Sequence, residues 1–287
     1  MISSNEKYYK NILHLDLNEQ VAQTKIVGDV YEYIGGVSLA YKLLEEYYED
    51  KPIIITSGPL AGYFPYISKS CFLTIEDNKF VEKYGGGTLA AKMNYAGLDG
   101  IVIVGEQKTP YIDLTVLPDE ITLSTSEADK YKSDLIINEH GVYSLGYFSF
   151  GDFSDIKLNQ ITSLSLKIES SLSVDLKNIY EYENLYNSIL DLYRELTVEP
   201  RNNPSCMGCP MGCDLSSLGE DDQNIAILPR SLISCGYASK IYKQIPTVFA
   251  CLSTIGYDYT HSDLEKLPEI FSATRERIRG KMEEENK

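Results

Sequence analysis

Apolar and polar positions alternate along NILHLDLNEQVAQTKIV, where Leu13, Leu15 and Leu17 fall on every second residue before a polar turn and a second extended run. A period of two puts one set of side chains on one face of a strand, so this stretch predicts a β-hairpin. The spacing then changes. In DVYEYIGGVSLAYKLLEEYYED, Leu39, Leu43 and Tyr47 recur every fourth residue, the stripe of an amphipathic helix. PIIITSGPLAG and GIVIVGE are short apolar runs bounded by Gly and Pro, which predicts buried strands. YIDLTVLPDEITLSTS alternates again and predicts a second hairpin.

The pattern shifts near residue 175. In NIYEYENLYNSILDLYREL, Leu185, Ile189, Leu192 and Leu196 keep helical spacing until EPRNNP stops the helix. Farther on, SLISCGYASKIYKQ and TVFACLSTIGYDYT lead into a polar-faced helix, SDLEKLPEIFSATRERIRGK. Ser262 is its expected N-cap, with Glu265 at the capping-box position. The terminal KMEEENK reads as a frayed tail. The expected fold class is α+β, with a β-rich part over residues 1–175 and a helical part over residues 176–287.

Composition narrows the function classes. Against 26 basic side chains stand 42 acidic ones, a net charge of −16, and no Lys/Arg cluster offsets it. Such a field repels polyanions, which argues against nucleic-acid and membrane-surface partners. No apolar run approaches the ~20 residues needed to span a bilayer. The N-terminal MISSNEKYYKN lacks the apolar stretch of a signal peptide, so the chain is expected in the cytoplasm. In that reducing compartment the six cysteines are expected as thiols, metal ligands or redox groups.

Three of the six crowd into SCMGCPMGCD, as Cys206, Cys209 and Cys213. This C-x2-C-x3-C spacing aims several sulfurs at one centre, and Gly208 and Gly212 let the backbone come close. A cubane iron–sulfur cluster takes four thiolates, frequently several from one run and one from far away. Structural zinc more often shows two separated C-x2-C pairs, so the spacing favours a 4Fe–4S cluster with zinc as the alternative. The fourth ligand must be Cys71, Cys235 or Cys251. Cys71 lies in KSCFLT, a strand pattern, and Cys251 in the apolar run VFACLSTI, so both read as core thiols. Cys235, flanked by Ser and Gly in SCGYAS, is the preferred ligand. His14, His140 and His261 read as ordinary surface or capping residues, and there is no P-loop or GxGxxG.

The chain resembles the tungsten-dependent aldehyde:ferredoxin oxidoreductases. The resemblance is carried by the opening hairpin, the helix start YIGGVSLAYKLL, the strand end SGPLAG, the segment GGGTLAAKMNYAGLDGIVIVGE, the cluster run CMGCPMGC and the closing IGYDYTHSDLEKLPEIF. RSLISC matches the family's last cysteine motif at Ser231, Leu232 and Cys235, so the resemblance implies the same fourth ligand. It also implies a pterin-binding domain before a helical cluster domain, a tungstopterin or molybdopterin cofactor, a redox partner protein or larger oxidoreductase subunit, and a homodimer.

The departures bear on function. Family members are longer, and most of the missing length falls between Cys213 and Ile225, where their aldehyde chemistry resides. Where the family has an Arg after the GPL segment this chain has Lys69, and an Asn-Ser-Gly-Gly turn has become Tyr84, Gly85, Gly86 and Gly87. KLNQITSLSLKIES has no glycine where a Gly-rich loop is expected, and the Asp before Ser-Leu is Arg230. Lys69 and Arg230 have the charge to meet phosphate and the three glycines can cradle an anion, or form a plain turn. The expectation is therefore an iron–sulfur redox protein that transfers electrons within a complex and has no aldehyde-oxidising site of its own. The alternatives are a minimal tungsten or molybdenum aldehyde oxidoreductase and a zinc- or cluster-stabilised scaffold.

Overall fold

The computed structural model describes residues 9–127, 132–139, 141–145, 150–153, 158–169, 179–191, 218–219, 227–233, 239–285 and 287. The predicted first hairpin forms from β1 (Lys10–Asp16) and β2 (Val21–Val27), paired antiparallel with Lys10 opposite Val27. The two apolar runs become β3 (Ile53–Ser57) and β6 (Gly100–Val104), every residue of which is buried. Between them lies a hairpin of which the alternation revealed only the first strand, β4 (Ser70–Glu76) followed by β5 (Lys79–Gly85), closed by Asp77 and Asn78, both at positive φ. β1 runs parallel to β6, and β3 antiparallel to it. With β13 (Leu218–Gly219) on β5, the strand order is β13-β5-β4-β3-β6-β1-β2.

A six-stranded sheet packs on one face of this one, in the order β11-β10-β9-β12-β7-β8. Its strands are β7 (Ile112–Val116), β8 (Ile121–Ser124), β9 (Leu135–Asn138), β10 (Gly141–Leu145), β11 (Phe150–Phe153) and β12 (Ser163–Ile168). Leu13, Leu15, Ile53, Ile55, Ile101 and Ile103 point into the layer between the sheets. Their neighbours Ile12, Ile54, Val102 and Val104 point the other way, onto α1 (Gly36–Glu46) and α7 (His261–Glu285). Covered on both faces, the two strands are apolar at nearly every position, Thr56 and Ser57 at the end of β3 excepted. The architecture is α+β, as expected.

A third core gathers the remaining helices around the loop after β3, where Leu60, Ala61, Phe64 and Ile67 are buried. Packed on it are α3 (Ile179–Asp191), α4 (Ile227–Leu232), α5 (Ser239–Tyr242) and α6 (Ile245–Thr254). α2 (Leu89–Tyr95) lies beside β3.

Two local expectations need correction. α7 is capped by Thr260, not Ser262. Asp263 Oδ2 accepts from the Thr260 N–H at 2.7 Å, and the Asp263 N–H donates back to Thr260 Oγ1 at 3.2 Å. This reciprocal pair starts the helix two residues earlier than the Ser262–Glu265 pair would. Thr260→Ala is expected to cost about 1 kcal/mol, measured as a lower urea midpoint at unchanged slope. The C-terminal tail is helical through Glu285, whose carboxylate accepts from the Tyr48 hydroxyl at 3.0 Å and so ties the helix end to the body.

Candidate cofactor and cluster site

The cluster candidates Cys206, Cys209, Cys213 and Cys235, together with His140, lie outside the described residues. Among the described residues, no group of three or more His, Cys, Asp or Glu side chains is placed to hold a metal ion. The other two cysteines sit as the sequence predicts. Cys71 is wholly buried on β4 and Cys251 wholly buried on α6. Burial pushes the Cys251 thiol up to about 12, and burial followed by the Glu82 charge pushes Cys71 up as well. Both are protonated at neutral pH, whereas a metal takes the thiolate.

Register brings the pterin-contact candidates together. Ser70 pairs with Gly85 at the open end of the β4–β5 hairpin, so Lys69 and Gly86–Gly87 continue side by side beyond it. Gly87 has φ +106°, which only glycine adopts freely. All four residues are buried, Lys69 completely.

Arg230, the fifth candidate, is turned inward. It forms an ion pair with Glu82, whose side chain is fully shielded while that of Arg230 is 11% exposed. Glu82 also accepts hydrogen bonds from the Tyr84 hydroxyl at 2.5 Å and the Tyr41 hydroxyl at 3.2 Å. The Arg230 Nε donates to the Tyr84 oxygen at 3.4 Å, and its guanidinium lies 5.7 Å from the centre of the Phe271 ring. Burial opposes its charge, but Tyr84 and Glu82 outweigh that and raise its pKa. Among the described residues, then, Lys69 and Gly85–Gly87 are buried and the Arg230 guanidinium is engaged with Glu82.

The glycines of the first helix start and of SGPLAG have a different task. A Cβ on Gly58 would overlap the Leu232 carbonyl, and one on Gly36 would come 2.8 Å from the Arg230 carbonyl. Both glycines therefore receive the backbone of α4. Sequence spacing holds no sign of this contact, which joins residues far apart in the chain.

His14, expected at the surface, is only 7% exposed on β1, its ring 5.5 Å from that of Tyr47. Burial and then the Lys25 charge push its pKa below 6.5, against the opposing pull of Asp16 and Asp50. The unfolded chain takes up this proton as pH falls through 6.5 and the folded one only lower. Stability is thus present above 6.5 and lost as pH drops through the folded value. Urea midpoints are expected to fall over this range, and less so in His14→Gln.

The mixed sheet, with helices on one face and a second sheet on the other, defines the class of domain. Residues 12–136 match the family described as aldehyde ferredoxin oxidoreductase, N-terminal domain. The match takes in somewhat under half of the chain, and over that stretch the chain is similar to the N-terminal domain of that family. A structural similarity is found to a chain of the active site complex BamBC of benzoyl coenzyme A reductase in complex with 1,5-dienoyl-CoA. It has 18% identity and a TM-score of 0.45, and covers 65% of this chain and 34% of that one. The protein thus matches about a third of that chain's length. Among the described residues, no helix is long and apolar enough to cross a membrane.

Proposed function

We propose that the protein is an iron–sulfur redox member of this family, with Cys206, Cys209, Cys213 and Cys235 as ligands of a 4Fe–4S cluster. It transfers electrons to a partner protein or larger oxidoreductase subunit and has no aldehyde-oxidising site of its own. When bound, such a cluster supplies one-electron transfer. The chain's part is to supply four thiolates and to hold them in place. The inward turn of Arg230 carries the second half of this reading. Where the resemblance places a carboxylate for the pterin, this chain has a cation whose charge is met by Glu82 inside the fold. The burial of Lys69 and Gly85–Gly87 supports the same conclusion. For the cluster, the support is the cysteine spacing together with the sequestering of Cys71 and Cys251.

The test is metal and sulfide analysis of protein purified without oxygen. The expected result is ~4 iron and ~4 sulfide per chain, without tungsten or molybdenum. Stoichiometric tungsten or molybdenum with extractable pterin would overturn it in favour of a minimal aldehyde oxidoreductase. Zinc alone would leave a scaffold.

A further inference from the structure

Four large apolar side chains among the described residues are strongly exposed, and three of them meet at one edge of the seven-stranded sheet. Val21 is 48% and Ile26 71% exposed on β2, and Tyr9, 47% exposed, lies beside the C-terminal end of that strand with its ring against Gly28. β2 is the last strand of its sheet, and no described strand pairs with its outer side. Such an edge is a template for another strand, and proteins normally blunt one with a bulge, a proline or a projecting charge. β2 has none of these. Its seven pairs with β1 run in unbroken register, it contains no proline, and its one charge, the Lys25 ammonium, lies over the Tyr47 ring at 5.7 Å.

The register shows which backbone groups this edge offers. The Leu17 N–H donates to the Val104 carbonyl and the Asp99 N–H to the Asn11 carbonyl, both at 2.9 Å, so odd-numbered residues along β1 face β6. Backbone groups alternate along a strand, so the even-numbered residues of β1 turn to β2 and bond Val21, Gln23, Lys25 and Val27 opposite them. Ala22, Thr24 and Ile26 therefore direct their N–H and C=O groups outward, away from the sheet.

We propose that this edge pairs with β2 of a second copy of the chain, antiparallel about a two-fold axis at Thr24. Thr24 then faces its own counterpart, Ala22 faces Ile26, Gln23 faces Lys25 and Val21 faces Val27. The three outward residues of each copy exchange their hydrogen bonds in this register. The side chains are self-complementary as well: the exposed Ile26 covers Ala22, valine meets valine, and no two like charges are opposed. The strand carries no acidic side chain in a chain of net charge −16, so two copies meet without an acid-against-acid contact along the ladder. A peptide of another protein would find no acidic side chain and no projecting base there to select it, which favours a second copy as the occupant. Seven residues a side make a small interface, so the association is reversible and depends on concentration. The proposal rests on the sheet alone and does not depend on the cluster reading.

The experiment uses the full chain purified without oxygen and reads its mass by sedimentation over a concentration series, with circular dichroism and urea midpoints to check folding. Wild type is expected to rise from the mass of one chain toward twice that mass. Thr24 is exposed, so Thr24→Glu and Thr24→Lys are expected to fold as wild type does. Each places two like charges face to face on the axis, and each is expected to stay at the mass of one chain. An equimolar mixture of the two variants opposes a carboxylate to an ammonium and is expected to regain the double mass. A wild type that keeps the mass of one chain throughout overturns the proposal and leaves the edge to an extended segment of another protein. Dimers that survive both substitutions, or a mixture that stays single, place the contact elsewhere and overturn it as well.

Discussion

Cys235→Ser is expected to strip the anaerobically purified protein of most of its iron and bleach its visible absorption, whereas Cys251→Ser keeps both. Serine has the shape of cysteine but is not deprotonated near neutral pH and binds iron poorly, so a true ligand does not survive the exchange. Cys251 is excluded on physical grounds. It is wholly buried on α6, and its thiol is pushed up to about 12 by burial. A thiol in that setting is a small apolar filler. Cys251→Ser places a hydroxyl in an apolar core and is expected to cost about 1–3 kcal/mol with no change in iron per folded chain. Cys71 is as deeply buried, on a strand between β3 and β5, and Cys71→Ser is expected to behave like Cys251→Ser. Iron analysis and absorption spectra of the three variants decide the matter. Bleaching by Cys251→Ser or Cys71→Ser, with Cys235→Ser still coloured, would place the fourth ligand elsewhere.

Both core cysteines are legible in the sequence. Strand alternation in KSCFLT and apolar continuity in VFACLSTI already placed Cys71 and Cys251 in cores. The first hairpin, β3, β6, α1 and the β7–β8 hairpin were legible for the same reason, because each is a local run whose period reveals its face. What stayed hidden depends on partners far away in sequence. Arg230 and Glu82 are 148 residues apart. Nothing local to RSLISC shows that the guanidinium has a carboxylate waiting for it. Gly36 and Gly58 carry motif-like signatures, yet their contact is with the backbone of α4, which no spacing rule anticipates. His14 sits among alternating residues as a polar side chain would, and the Tyr47 ring that packs beside it comes from a distant helix end. The capping box was misplaced because two overlapping candidates, Thr260–Asp263 and Ser262–Glu265, satisfy the same pattern. Only the hydrogen bonds separate them.

Glu82→Ala is expected to destabilise the chain by about 3–5 kcal/mol. The carboxylate is fully shielded and accepts from three donors, the Tyr41 and Tyr84 hydroxyls and the Arg230 guanidinium. Removing it leaves a cation that cannot shed its proton, packed over Phe271 with little access to water. Most of the cost is that stranded charge rather than the lost attraction. A double variant therefore separates the two contributions. Glu82→Met with Arg230→Met removes both charges, and such a replacement of a buried pair is commonly neutral or better, so much of the stability is expected to return. Urea unfolding of Glu82→Met, Arg230→Met and the double variant gives the coupling directly. A cost below about 1 kcal/mol for Glu82→Ala would mean that the pair behaves as a solvated surface bridge. Arg230 would then be free to meet an anion, and the argument against a pterin contact at that position would fall with it.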